Sequence, residues 1–583
     1  MLNCTEDLKQ IFYPSTMTEN NSPLIQTKDF ISSGFFPKEL VPAFTTEGLA
    51  NNLDKVNDIV QATLPKHFSQ CSYYSFPKSK YSRRNLAIPN PLHQIILCNT
   101  LSDNWATLRQ KIETSPLYKP LLFCYDRSNQ SLSETEPYPG MESSPIPDLS
   151  IKRAVSANYK DLLDWRVIHS SGYSYCLHTD ISRFYSTIYT HSIPWAIHGK
   201  YISKKNKNKE DGECAIGNKI DRCVRNTQEQ QTKGIPIGTD SSLVIAEIIG
   251  SAIDKKLNEL LGSTLSGFRY MDDYYLYFNS LSEAELALSQ LHKIFHDFEL
   301  ETNSEKTFIV ELPESIEPIW VSEMRRHPID NQNKTEQRND LITYFSKLFE
   351  YSKIFTDDFV IKYGLRRISK TKIKSENWEI YEAFILQSIL FAPNALVIAT
   401  EILWAYSKLE YNLNKERISL TINSLILRHS ILNHSHEVSW ALWLSKTLNI
   451  PIEENTFKAI CELEDSVVAL VALDLYQNHN TLIRGTFEFE KWKSIVTPDD
   501  YNNNLYSKNW LLCYEASIKG FFSNVSQSEY MNNNNQFFST LKNNNITFYN
   551  HDNQVQDLLE YIDNDEADDE ADDDTSSNSW MSY

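Results

Sequence analysis

The chain has 583 residues, too many for one compact core, which sets an expectation of two to four domains. Its 41% hydrophobic and 12% aromatic residues and only 15 glycines exclude a fibrous or broadly disordered protein, and no run reaches the roughly 18 apolar residues of a membrane span. The net charge of −20 argues against a phosphate-bearing partner, but ten of the acids and no base lie in "EYIDNDEADDEADDD", 560–574, read as a solvated tail that leaves the body free to carry a basic groove.

Residues 1–75 mix short apolar segments with Pro and Asn, show no clear period, and are read as an N-terminal extension. From 76 to 330, strand-like runs ("YSYCLHTDI", "FRYMDDYYLYF", "KTFIVEL") alternate with helical ones ("TDSSLVIAEIIGSAIDKKLNELL", "SEAELALSQLHKIFHDFEL"), the pattern of mixed α/β layers. From 335 to 525 the strand signals fade, and amphipathic helical patterns joined by short polar turns predict a stacked α-helical repeat domain without a fixed period. Residues 526–583, Asn-rich and then acidic, are expected to form a flexible tail. The fold class expected is therefore α+β followed by an all-α domain.

Nine scattered cysteines with no CxxC pair argue against a zinc site or a disulfide framework and indicate a reducing compartment. The N-terminus lacks a basic flank followed by an apolar core, so the expectation is a cytosolic protein without membrane contact. The segment "GKYISKKNKNK", 199–209, is a candidate stretch of basic groove.

Two acidic elements carry the chemistry. "RYMDDYYLYF" reads as a β-hairpin with Asp272 and Asp273 at its turn, and "YCLHTDISRFYST" places Asp180 at the end of an apolar strand. On neighbouring strands these three carboxylates would bind two Mg²⁺ ions about 3.5–4 Å apart, clamping the attacking and leaving oxygens of a phosphoryl transfer. Hard oxygen ligands suit Mg²⁺ or Mn²⁺.

Asp180 with Tyr185, "GIPIGTDSS" at 234–242, "YMDD" at 270–273 and "ETNSEKT" at 301–307 stand in the order and approximate spacing of motifs A to D of reverse transcriptases. Upstream, "YSRRNLAIPNPLHQIILCN", 81–99, resembles the fingers segment, so the resemblance covers about 80–310 and implies a right-hand polymerase with fingers and palm. It further implies Asp180, Asp272 and Asp273 as metal-binding catalytic acids, and Arg83 and Arg84 as the triphosphate grip. Tyr185 would sit under the sugar and exclude a 2′-hydroxyl. Gly234, Pro236 and Gly238 would shape the motif B loop, and Lys306 would be a general acid for the leaving pyrophosphate. One departure is Ile237, where many reverse transcriptases carry Gln. "FYSTIYTHSIPWAIHGK", 184–200, and the helical domain in place of a thumb resemble bacterial abortive-infection reverse transcriptases of the AbiK-like group. That resemblance implies a cytoplasmic bacterial enzyme of antiphage defence, taking deoxynucleoside triphosphates to a DNA product, untemplated and protein-primed, and assembling as a homo-oligomer. The alternatives are a reverse transcriptase copying a partner non-coding RNA and a nucleic-acid-binding sensor built on an inactive palm.

Overall fold

The computed structural model describes residues 25–62, 68–79, 82–119, 159–207, 209–356, 359–496, 504–522, 535–559 and 562. At its centre lies a four-stranded antiparallel sheet in the order β4-β5-β3-β6, from β3 (Tyr175–Asp180), β4 (Gly267–Tyr270), β5 (Asp273–Phe278) and β6 (Phe308–Glu311). These strands are rich in Tyr, Phe, Ile and Val, residues that fit a pleated, half-buried surface. A separate hairpin, β1 (Ser72–Pro77) and β2 (Arg83–Ile88), stands apart from the sheet.

The pleat sends alternate side chains to opposite faces. One face of the sheet packs on two helices, α1 (Asp240–Leu261) and α2 (Leu281–Asp297), where Tyr274 meets Phe295 and Arg269 meets acids of α1. The other face carries a row across all four strands: Phe268 stacks on Tyr275, Tyr275 meets His178 edge-on, and His178 stacks on Phe308 with its ring centroid 4.9 Å away. Ser280 opens α2 with a reciprocal capping box to Glu283, which fixes where the helix begins after β5.

Beyond the sheet the chain is helical. Three hairpins follow one another: α3 (Trp378–Phe391) with α4 (Leu396–Lys408), α5 (Lys415–Ser430) with α6 (Ser435–Leu448), and α7 (Glu454–Cys461) with α8 (Ser466–Asn478). The first helices of the pairs, α3, α5 and α7, stack in one layer, while α4, α6 and α8 stack in the other, which α9 (Trp510–Lys519) extends. Helix α8 is buried on every side from Ser466 to Leu475 because it is covered by α6, by α9 and by the returning C-terminal segment, so "SVVALVAL" shows an all-round apolar surface and not a stripe. The fold is thus α+β with an all-α C-terminal region. Among the described residues no helix is long and apolar enough to cross a membrane.

The segment expected as a loose tail differs in part. Residues 535–559 are built into the body: α10 (Gln536–Asn543) packs on the N-terminal helix Leu53–Ala62, and Phe537, Phe538, Leu541, Ile546, Phe548 and Tyr549 are buried. The Asn residues obscured this apolar set in the sequence, and they have local work: Asn535 caps α10 by accepting from the Phe538 N–H, and Asn545 takes the positive φ at the turn that ends it. The acidic stretch from 563 onward lies outside the described residues. The N-terminal extension also folds: Phe44 bridges Tyr549, and the Trp440 indole donates to the Glu39 carbonyl at 2.9 Å, joining extension, tail and helical array.

Candidate active site

The register of the sheet assembles the acids. Asp180, the last residue of β3, lies directly opposite Asp273, the first residue of β5, and Asp272 precedes it in a two-residue turn between Tyr270 and Asp273. Met271 fills the other turn position at φ +57°, a left-handed conformation uncommon for any residue but glycine. The turn is supported by Arg269. Its guanidinium donates to the Met271 carbonyl at 2.6 Å and is fixed by Glu247 and Asp254 of α1 at 2.9–3.1 Å, all fully buried. Ser115 closes the network by donating to Asp254 at 2.6 Å. This buried cluster under the turn escaped the sequence reading. Its only signal was an Arg in a strand otherwise aromatic, which by itself reads as a surface residue.

Lys306 reaches in from the segment before β6. Its ammonium lies 2.7 Å from Asp180 Oδ2 and 3.8 Å from Asp273 Oδ1, although the side chain remains 54% exposed. The loop carrying it is held by the Asn303 N–H, which donates to the Asp180 carbonyl at 3.0 Å, and by a 2.8 Å hydroxyl contact between Thr179 and Thr307. Burial works against the ammonium, but Asp273 and Asp180 outweigh it and hold its pKa above the usual lysine value. Burial first, and then Asp180, raise Asp272; burial and Asp272 raise Asp273. Three carboxylates on one patch, destabilised by each other's charge, form a site that a cation relieves. The donor set fits hard divalent ions, and Asp180 Oδ1 is buried without a hydrogen-bond partner, which leaves an acceptor aimed at such an ion.

The basic pair of the fingers hairpin divides. Arg83 and Arg84 are consecutive in β2 and point to opposite faces. Arg84 faces the acids and lowers the Asp272 pKa, together with Lys306. Arg83 faces away: it forms a two-pronged ion pair with Glu437 of α6 at 2.7 Å on both prongs and donates to Ser75. The expectation that both arginines grip a triphosphate is therefore corrected for Arg83, whose guanidinium is committed to the helical array. A further cation near the acids is Lys78, the residue after β1, which feels the charges of Arg84, Lys306, Asp272 and Asp180. "FPKSKYSRRN" contained it, but only the hairpin geometry distinguishes Lys78 from Arg83.

Tyr185 lies in the short helix Phe184–Thr187 just beyond β3 and is 7% exposed. Its carbonyl accepts from the Ile235 N–H at 2.8 Å, and the Gly234 N–H donates to Ile188, so the loop of motif B is laced to motif A. Gly234 has φ +83°, and a Cβ there would lie 3.2 Å from the Ser186 carbonyl oxygen. Gly238, at φ +108°, lies against Pro37 of the N-terminal extension, with Pro236 between the two glycines. Ile237 uses its carbonyl to accept from Ala87 of β2 and packs its side chain against the core, so this position offers the cleft no polar side chain. The run Thr190–Trp195 is a packing seam: His191 contacts Asp221 at 2.7 Å, and Lys200 and Lys204 of the basic segment lie over the Trp195 ring.

One protein family matches the central part of the chain. Residues 142–338 match the family described as "Reverse transcriptase (RNA-dependent DNA polymerase)", a range that includes Asp180, Asp272, Asp273 and Lys306 but not the fingers hairpin. No curated protein sequence matches the chain. Similar solved structures include apo telomerase from Candida tropicalis, at 10% identity and a TM-score of 0.29 over 75% of this chain and 72% of that one. Telomerase from Candida albicans with a fragment of telomeric RNA is similar at 11% identity and a TM-score of 0.26, over 63% and 68%. The chain carries a reverse transcriptase domain, and with it the activity class of an RNA-directed DNA polymerase.

Proposed function

We propose that the protein adds deoxynucleotides to a growing DNA strand by two-metal phosphoryl transfer, in the manner of abortive-infection reverse transcriptases of antiphage defence. The observation that carries the chemistry is the juxtaposition of Asp180 with Asp273 across the β3–β5 register, with Asp272 at the adjoining turn and the Lys306 ammonium drawn in among them. Asp180, Asp272 and Asp273 would hold two Mg²⁺, or Mn²⁺, which supply charge neutralisation and a clamp on the reacting oxygens. Arg84 and Lys78 would neutralise the triphosphate from the fingers side, where a guanidinium matches phosphate oxygens in pairs. Tyr185 would lie beneath the sugar and leave no room for a 2′-hydroxyl. Lys306 is kept protonated by its neighbours, which also make it a weaker proton donor; with those carboxylates engaged by the metals it would give its proton to the departing pyrophosphate.

The defence reading rests on the likeness of 184–200 and of the helical domain to the AbiK-like group, and it brings protein priming, untemplated synthesis and homo-oligomers as further parts of the proposal. The apolar Ile237 favours synthesis without a template, since the loop lacks the polar side chain that usually meets the nascent pair. Copying of a partner non-coding RNA is the second reading, favoured by the family match to RNA-dependent polymerases.

The test is incorporation of each labelled deoxynucleotide by protein purified from cells, with Mg²⁺, before and after RNase, with products resolved before and after protease and Asp272→Ala as control. Incorporation at least about 100-fold above the control supports polymerisation. RNase-resistant product released only by protease supports protein-primed, untemplated synthesis; loss on RNase treatment supports a bound RNA. No synthesis dependent on Asp272 would overturn the enzymatic reading in favour of a nucleic-acid sensor.

A further inference from the structure

The tight turn between α5 and α6 gathers three potential ligands far along the chain from the polymerase acids. His429 lies in the last turn of α5, His434 is the residue before α6, and Glu437 lies in the first turn of α6. Asn433, at φ +52°, lets the chain reverse so that the His434 N–H donates to the His429 carbonyl. As a result His429 Nδ1 and His434 Nδ1 are 2.8 Å apart, and Glu437 Oε1 lies 3.7 and 3.5 Å from them.

Without metal the two imidazoles share a hydrogen bond between their Nδ1 atoms, and a metal would take the place of its proton. The three separations bracket the roughly 3.3 Å that ligand atoms about 2.0–2.1 Å from a tetrahedral Zn²⁺ keep from each other. Two imidazoles and a carboxylate suit a borderline ion and not the hard Mg²⁺ of the polymerase acids. The carboxylate is also oriented from behind: Arg83 of the fingers hairpin grips both oxygens of Glu437 at 2.7 Å, the outer-shell support that ligating carboxylates characteristically have. All three side chains line a cavity of about 510 Å³ between the β1–β2 hairpin and the helical array, so the fourth tetrahedral position faces open space.

We propose that His429, His434 and Glu437 form a binding site for one Zn²⁺ ion that joins the helical array to the fingers through Arg83. The site uses no cysteine, so the cysteine spacing gave no sign of it. It is independent of the polymerase reading, because none of its ligands belongs to the palm.

The full-length chain, with Asp272→Ala to weaken the acidic site and excess Mg²⁺ present, is freed of metal by chelation and titrated with Co²⁺ as a spectroscopic stand-in and with Zn²⁺ in competition. The expected result is one equivalent with the intense visible bands of tetrahedral Co²⁺, displaced by Zn²⁺. His434→Gln, at a position partly exposed and so tolerant of change, should lower the affinity by at least the roughly 10–100-fold that loss of an outer-shell partner costs. Absence of tetrahedral bands in a chain that melts as the untreated protein does would overturn the proposal. So would bands that persist unchanged in His434→Gln, or bands with thiolate charge-transfer character that assign the ion to cysteine.

Discussion

Neighbouring arginines in one strand serve different structures here, and substitution separates them. Arg84 faces the acids while Arg83 is locked to Glu437, whose side chain is only 2% exposed. Arg84→Ala should raise the KM for deoxynucleotides about 10–100-fold, the value of a lost charge-assisted hydrogen bond to phosphate, with little change in melting temperature. Arg83→Ala should do the reverse: it strands a buried carboxylate and costs about 2–3 kcal/mol, somewhat below a fully buried pair because the arginine is partly exposed. Steady-state kinetics beside thermal melts of the two variants checks both, and a larger KM effect for Arg83 than for Arg84 would reverse the assignment.

At the scale of elements, the β4–β5 turn depends on a buried ionic cluster more than on its own residues. Arg269 holds the Met271 carbonyl and lies between Glu247 and Asp254, opposing the burial that pushes both carboxyls towards the neutral form. Arg269→Met should cost about 3–5 kcal/mol by leaving two buried acids without a cation. Adding Glu247→Gln and Asp254→Asn should recover much of that stability in a melt while incorporation stays low, because the turn still lacks the donor that fixes Met271. Full recovery of activity in the triple variant would show that the cluster serves stability alone.

Across the whole molecule, the C-terminal segment closes the fold onto the N-terminal extension. Buried Glu515 of α9 accepts from the Phe548 N–H at 2.6 Å and from the Thr547 hydroxyl at 2.8 Å, and burial pushes its pKa up from 4.5 to about 7. The folded state then holds this proton more tightly than the unfolded one. Its contribution to stability therefore falls as pH rises from about 4.5 to about 7, and the full cost of the charged form is present above that. Glu515→Gln should flatten this dependence and gain on the order of 1–3 kcal/mol at pH 8 but nothing at pH 4, read by denaturant melts across pH. A chain ending at residue 534 loses the burial of Phe537, Phe538, Leu541, Ile546, Phe548 and Tyr549, roughly 10 kcal/mol at 1.5–3 kcal/mol each, and should fail to yield soluble, cooperatively melting protein.

The strands of the central sheet, the helices from 335 to 525 and the three acids could be read from the sequence. Asp180, Asp272 and Asp273 were legible because charges inside strand-forming runs are rare enough to need a reason, and the helical half was legible because apolar periodicity is a local property. Position along the chain could not reveal which face a side chain takes once the strand is seated, and so Arg83 and Arg84 looked alike until β2 lay between the palm and α6. Nor could it show Arg269 meeting Glu247 and Asp254, or His429 meeting Glu437, since such clusters exist only where helices and strands converge. The Asn-rich C-terminal segment shows the same limit from the other side. Its composition favours loose chain, but six apolar side chains find a surface already made by the N-terminal helix and α9, and burial outweighs the local preference.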